Sequence, residues 1–113
     1  VLHYVARRQR QMCIRDRDGH TASFFPGGDN LYEALDLDEP RGVLTMAAEN
    51  AGEERLTFNF SSLHDAGFLV LHIEGAAKKA TLEKAQSGED EEEMPVRAVL
   101  NRAETPVDIY WAP

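Results

Sequence analysis

The sequence has a single cysteine, Cys13, and no apolar run close to the length of a membrane span. One thiol excludes an intrachain disulfide framework and any metal site built on cysteine pairs. A bilayer span needs roughly 18 or more consecutive apolar residues, and the N-terminus also lacks the charge order of a secretory signal. We therefore expect a cytoplasmic protein with no membrane partner.

Basic residues are scarce beyond position 17. Of 12 basic and 20 acidic residues, five arginines and only one acid lie in residues 1–17. Residues 18–113 therefore hold seven basic and 19 acidic residues, a net charge of −12. A surface of this sign repels nucleic acid and anionic membranes, so we expect neither as a partner. The basic leader taken alone would favour a nucleic-acid-binding arm.

The leader has another interpretation at the level of DNA. Residues 7–16 can be reverse-translated, over ten consecutive codons, into the transposase-end adapter of shotgun-sequencing libraries. Residues 1–17 are therefore predicted to be translated adapter and, like any added tag, are set aside in fold reasoning. The alternative is a genuine basic N-terminal helix. On the adapter interpretation, residues 18–113 begin inside a larger domain.

Strands and helices are predicted to alternate after the leader. Strand patterns cover 42–47, 55–60, 68–73 and 107–111; helical patterns cover 31–35, 61–66, 76–86 and 95–101. The first short helix after 55–60 is expected to be capped by Ser61 or Ser62. The nearly continuous apolar run at 68–73 is typical of a strand covered on both faces of a parallel sheet. The alternation predicts an α/β fold with a mostly parallel sheet.

Residues 18–27, with the sequence DGHTASFFPG, give the clearest chemical signal. An imidazole that titrates near neutral pH can take a proton from water, and a nearby carboxylate can orient the ring. Glycine allows a tight turn and a close approach of a ligand. These residue types favour an active-site loop around His20, and the alternative is an ordinary surface histidine.

This stretch resembles the 6-phosphogluconolactonase signature, usually written G-x-G-x-D-G-H-T-A-S-L-F-P-G. Within 18–27 the match fails only at Phe24, where leucine is usual, and the leader stands in place of the earlier glycines. The similarity continues through 55–57 (RLT), 75–78 (GAAK) and 94–95 (MP). The resemblance implies that 18–113 is the C-terminal half of a lactonase domain, part of a three-layer Rossmann-like sandwich.

The resemblance also implies an activity, the hydrolysis of 6-phospho-D-glucono-1,5-lactone to 6-phosphogluconate in the oxidative pentose phosphate pathway. His20 would be the general base that activates water, and Asp18 would orient it. Neither a metal nor a cofactor is implied, and no oligomeric state is predicted. The residues implied to contact the substrate are Gly19, Thr21, Ser23, Arg55 and Lys78, with Lys79 as an alternative to Lys78.

Two other functions stay open at this point. Deaminase-type sugar-phosphate isomerases of the same superfamily also have D-G-H but typically continue I-A-F-N-E-P, whereas this chain continues TASFFP over 21–26. A non-catalytic fragment is the second alternative, because a parallel sheet cut in two exposes apolar faces and an unpaired edge. We therefore expect the polypeptide as written to be poorly folded and to have little or no activity.

We predict that source DNA amplified across the codon of Arg17 encodes a glycine-rich run immediately before Asp18, because an adapter joins a read at an arbitrary point in a gene. Sequencing that product tests the prediction. Genomic DNA that encodes residues 7–16 as written would contradict it and would make the leader native.

Overall fold

The computed structural model describes residues 9–13 and 19–113, in which strands and helices alternate. The strands are β1 (Gln9–Cys13), β2 (Val43–Met46), β3 (Arg55–Phe58), β4 (Phe68–Glu74) and β5 (Val107–Ala112). The helices are α1 (Leu31–Leu35), α2 (Phe60–Leu63), α3 (Ala76–Gln86) and α4 (Val96–Arg102), with a 3-10 turn at Glu49–Ala51. Among the described residues, no helix has the length and apolar character needed to cross a membrane.

A three-stranded parallel sheet organises the chain, with the order β1-β4-β5. In its register Cys13 lies beside His72, and Glu74 lies beside Ala112. β2 and β3 form a separate antiparallel pair. Because neighbouring strands of the large sheet run the same way, their carboxyl ends meet at one edge. The predicted α/β class with a parallel sheet is confirmed.

The helix bounds follow from local signals. The helix predicted over 31–35 and the helix predicted to follow Gly75 over 76–86 correspond to α1 and α3 at the residues where they occur. The predicted cap of α2 is wrong, because Asn59 takes that place and its side chain accepts a hydrogen bond from the backbone N–H of Ser62 at 3.1 Å. Asparagine is among the most favoured N-cap residues, and its oxygen reaches the N–H three positions on.

β4 differs from the prediction of a strand covered on both faces. Leu69, Leu71 and Ile73 are buried, whereas the alternate side chains are half-buried or exposed, and Phe68 is 44% exposed. Successive side chains of a strand point to opposite faces, so one face of β4 lies in the core of the described residues and the other does not.

β1 lies within the leader that sequence analysis sets aside. Parallel pairing joins main-chain N–H and C=O groups, so it depends little on side-chain identity. The position of Gln9–Cys13 beside β4 therefore says nothing about the origin of these residues, which stays a prediction.

The core lies between the sheet, the helices and the loop that follows residue 18. Phe24 and Phe25 of that loop are buried together with side chains from α1, α2, β4 and α4. Phe24 stands where leucine is usual in the signature, and it is fully buried. The loop of residues 19–27, called the motif loop below, is thus anchored in the packed interior, and this burial fixes its position relative to the sheet.

Candidate active site

The candidate site lies at the edge where the parallel strands end. The loop with Gly19 and His20 comes after β1, the turn at Gly75 comes directly after β4, and β5 ends at Ala112. Ligands of open α/β sheets bind outside the carboxyl ends of the strands. The topology therefore brings the first turn of α3 and the end of β5 to the same edge, and we assign the loop of His20, which follows the strand next to β4, to that edge. Asp18 lies outside the described residues.

His20 is buried in this loop, with 7% of its surface exposed. Its ring stacks on Phe25, with the two ring centroids 4.4 Å apart and the planes inclined by 23°. Stacking on a fixed aromatic face restricts rotation of the imidazole. His20 is therefore held in one orientation and is not an ordinary surface side chain; its role as a base stays a prediction.

Arg55 contacts the same aromatic ring. Its guanidinium carbon lies 5.7 Å from the centroid of Phe25, within the range of a cation–π interaction. A hydrogen bond of 3.1 Å from its Nη2 to the carbonyl of Ala51 fixes the other side of the guanidinium. Although 35 positions separate Arg55 from His20 in the sequence, Phe25 brings them together.

Gly19 has a conformation and a packing environment that other residues would disturb. Its φ is +79°, and a β-carbon there would lie 2.8 Å from Cβ of Met94. Its carbonyl accepts a hydrogen bond of 3.0 Å from the backbone N–H of Val96, the first residue of α4. The Met94-Pro95 match of the signature therefore packs against the motif loop, next to His20.

The hydroxyl residues of the loop differ in accessibility. Thr21 is fully buried, and its carbonyl accepts a hydrogen bond of 3.0 Å from the N–H of Phe24. Ser23 is half-buried. The main-chain carbonyl of Thr21 therefore stabilises the turn of the loop. Contact of the Thr21 or Ser23 hydroxyl with a substrate stays a prediction.

Lys78 and Lys79 lie in the first turn of α3 but in different surroundings. Lys78 is half-buried, and among the described residues no carboxylate lies within ion-pair distance of it. Lys79 is exposed, and its Nζ lies 4.4 Å from the ring centroid of Trp111. Of the two lysines, only Lys79 is held by an aromatic ring.

A group of possible metal ligands lies at the opposite edge of the sheet, before β4 and β5 begin. Ligand atoms of His64, Asp65 and Glu104 lie within 4.8 Å of one another. Asp65 is already paired with Arg41, whose hydrogen bonds hold the pKa of the Asp65 carboxyl below its ordinary value. His64 also contacts a phenylalanine ring, that of Phe60, but edge-on and with the centroids 5.9 Å apart, and we assign this group no part in the site.

Buried Arg97 fixes the start of α4, the helix that contacts the motif loop. Its side chain is 4% exposed and donates to the carbonyls of Ala85 (3.0 Å), Lys84 (3.1 Å) and Asp90 (3.0 Å). It thereby joins the end of α3 to the start of α4, next to the N–H of Val96 that binds the carbonyl of Gly19.

Neither Arg97 nor Phe25 was predicted from the sequence as part of the site, because their partners lie far away in the sequence or are main-chain atoms. The only local signal was the place of Phe25 inside the signature.

The fold is that of a parallel α/β protein, with its candidate site at the carboxyl edge of the sheet. Residues 17–111 match the family described as glucosamine-6-phosphate isomerases/6-phosphogluconolactonase. The chain belongs to that family, and the predicted resemblance is confirmed.

Relatives and solved structures agree with this placement. The chain is 68% identical to the 6-phosphogluconolactonase of Rhizobium meliloti over 96 residues, covering 85% of this chain and 41% of the relative. For the Mesorhizobium japonicum 6-phosphogluconolactonase the identity is 47%, over 85% of this chain and 40% of the relative. A crystal structure of a 6-phosphogluconolactonase from Shewanella baltica superposes with a TM-score of 0.85 at 29% identity, covering 94% of this chain and 44% of that one. The chain spans about two fifths of the length of the curated relatives that it matches.

A hybrid chain provides a complete protein for experiments. In it, residues 18–113 replace the matching part of the Rhizobium meliloti relative, and at 68% identity we expect the remaining part of the relative to pack against them. We refer to this protein as the hybrid chain below.

We predict that Phe25→Leu in the hybrid chain moves the ring protons of His20 downfield in NMR spectra, because leucine keeps the apolar bulk but removes the stacked ring. Phe25→Tyr keeps the ring and should keep the upfield position. Phe68→Leu, at an exposed phenylalanine of β4, is the matched control. Unchanged His20 shifts in Phe25→Leu would contradict the stacking.

Arg97→Met should lower the free energy of unfolding of the hybrid chain by about 3 kcal/mol, because it removes the three hydrogen bonds by which a buried guanidinium joins α4 to the end of α3 and to the loop after it. Arg41→Met removes an exposed arginine and its pair with Asp65, and should cost no more than about 1 kcal/mol. Urea unfolding of the two variants tests this comparison. Equal losses would show that Arg97 does not hold α3 and α4 together.

Proposed function

We propose that the complete protein containing residues 18–113 hydrolyses 6-phospho-D-glucono-1,5-lactone to 6-phosphogluconate, a step of the oxidative pentose phosphate pathway. The observation that supports this most directly is a buried, stacked His20 at the carboxyl edge of a parallel sheet, inside a segment 68% identical to a lactonase. The family also contains isomerases, so the activity rests on this site together with the named relatives.

His20 is proposed as the general base. Its neutral imidazole takes a proton from water while the water oxygen attacks the lactone carbonyl carbon. The bond from that carbon to the ring oxygen then breaks, and the proton passes to the departing oxygen. Because the stack on Phe25 fixes the imidazole plane, the base loses little rotational freedom when the substrate binds. Asp18 is proposed to orient the ring.

Arg55 and Lys78 are proposed to bind the phosphate end of the substrate. The segment has a net charge of −12, so a dianionic substrate needs local positive charge to approach the site. Arg55 lies beside the ring on which His20 stacks, and Lys78 lies in the first turn of a helix that starts at the same edge. Backbone N–H groups of such a helix end add to the attraction for an anion.

Gly19, Thr21 and Ser23 are proposed to shape the pocket around the reacting carbonyl. The positive φ of Gly19 turns the chain so that His20 follows directly after a tight bend. Ser23 is the more accessible hydroxyl and the better candidate for a direct hydrogen bond. No step of this mechanism requires a metal or a cofactor.

A cytoplasmic location belongs to the same proposal. A dianionic sugar phosphate does not cross a bilayer unaided, because charged groups are costly in its apolar interior. The enzyme and the reaction that supplies its substrate are therefore expected in one compartment. The partner implied is this small molecule.

We predict that His20→Gln lowers kcat/KM for lactone hydrolysis by the hybrid chain by about 10²–10⁴-fold, because glutamine cannot accept the proton. His64→Gln, at the other edge of the sheet, should change it by less than about twofold. Both are measured from acid release on lactone opening, corrected for spontaneous hydrolysis.

A glucosamine-6-phosphate deaminase assay runs beside the lactonase assay. Deamination without lactone hydrolysis would contradict the proposal and favour the isomerase alternative. The 113-residue chain alone is expected to show little turnover, and substantial turnover by it would overturn the expectation of an inactive fragment.

A further inference from the structure

The turn between β4 and α3 has an N-cap residue without a side chain. The residue at the N-cap position is Gly75, which has no side chain to accept hydrogen bonds from the helix and has a φ of +90°. Helix starts are normally fixed by a Ser, Thr, Asp or Asn oxygen at this position. The orientation of the first turn, including Lys78, must therefore be fixed by other groups.

The end of β5 supplies those groups. The N–H of Gly75 donates to the carbonyl of Ala112 at 2.8 Å, and the indole N–H of Trp111 donates to the carbonyl of Gly75 at 3.0 Å. The same Gly75 carbonyl accepts the N–H of Lys79, the first bond of the helix, at 3.2 Å. Both polar groups of Gly75 are thus held by the last strand.

Trp111 also contacts one of the two lysines in the first turn of α3. The Nζ of Lys79 lies 4.4 Å from the indole centroid, where the negative face of the ring attracts the ammonium. Consecutive residues of an α-helix point about 100° apart, so Lys78 cannot share this position. The indole therefore engages one cation and leaves the other for a ligand at the edge of the sheet.

We propose that Trp111 is a positioning residue for the substrate phosphate. It fixes the Gly75 turn through its indole N–H and retains Lys79 on its ring, so that Lys78 is the lysine that binds the phosphate. This inference rests on the proposed function and adds to it a residue that would not itself contact the substrate. It also decides between Lys78 and Lys79, which the sequence left open.

Kinetics of the hybrid chain test the role in binding. Trp111→Leu should raise KM about 5- to 30-fold and change kcat by less than about threefold, as expected when binding common to the ground and transition states is lost. Lys78→Met should raise KM at least as much, and Lys79→Met by less than about twofold. Tyr110→Leu, at the exposed neighbour on β5, is the matched control and should not change KM.

A double variant separates positioning from a general structural effect. If Trp111 acts through Lys78, then Trp111→Leu together with Lys78→Met should raise KM no further than Lys78→Met alone. Trp111→Phe keeps a ring for Lys79 but has no N–H for Gly75, so it should lie between wild type and Trp111→Leu. This variant also covers the case in which leucine disturbs folding.

Amide hydrogen exchange measures the stability of the Gly75 turn and does not require an active enzyme. Trp111→Leu and Trp111→Phe should both speed exchange at the N–H of Lys79, which shares the Gly75 carbonyl with the indole. Unchanged exchange with unchanged KM would overturn the proposal, and so would a larger KM effect from Lys79→Met than from Lys78→Met. Absence of lactone hydrolysis in the unsubstituted hybrid chain would instead overturn the proposed function and leave the exchange result to stand by itself.

Discussion

The parallel pairing of β4 with β5 is the constraint on which the site depends, because both strands lie within residues 18–113. It places the turn at Gly75 and the end of β5 at one edge, and the loop of His20 follows the strand on the other side of β4. None of these segments is close to the others in sequence. Once the strands are parallel, their carboxyl ends must meet, and two hydrogen bonds between Gly75 and the end of β5 then fix the turn there.

The few cations of an acidic chain are distributed between structure and site. Arg97 binds main-chain carbonyls, Arg102 binds Glu91 at 2.8 Å, and Arg41 pairs with Asp65. Lys79 lies on an indole ring. Of the three other cations in residues 19–113, Lys84 lies in the last turn of α3, whereas Arg55, on the face of Phe25, and Lys78, in its first turn, are the ones assigned to the candidate site. A dianionic ligand would thus meet its counter-charges at the carboxyl edge of the sheet, and the surrounding acids would repel it elsewhere.

Sequence patterns predicted those features whose causes are local. The bounds of α3 follow from Gly75, and the loop of His20 follows from a signature of consecutive residues. The cap at Asn59 was missed because Asn59, Ser61 and Ser62, all within four positions, compete for that place. The contacts of Phe25 with Arg55 and of Trp111 with Gly75 join residues 30 and 36 positions apart, and no periodicity within one element can predict such pairs.

The support of His20 comes from the chain that follows it. Gly19 is held by the N–H of Val96, α4 is joined to α3 by Arg97, and α3 starts at a turn fixed by Trp111. A base must be placed to a fraction of an ångström to act on a bound water, and loops alone rarely provide this precision. Here the loop of His20 lies against α4, and α4 is tied to α3 by a buried guanidinium rather than by surface contacts. The proposed base and the proposed phosphate lysine are therefore supported from opposite ends of one helix, because Arg97 contacts the end of α3 and Trp111 contacts the turn at its start.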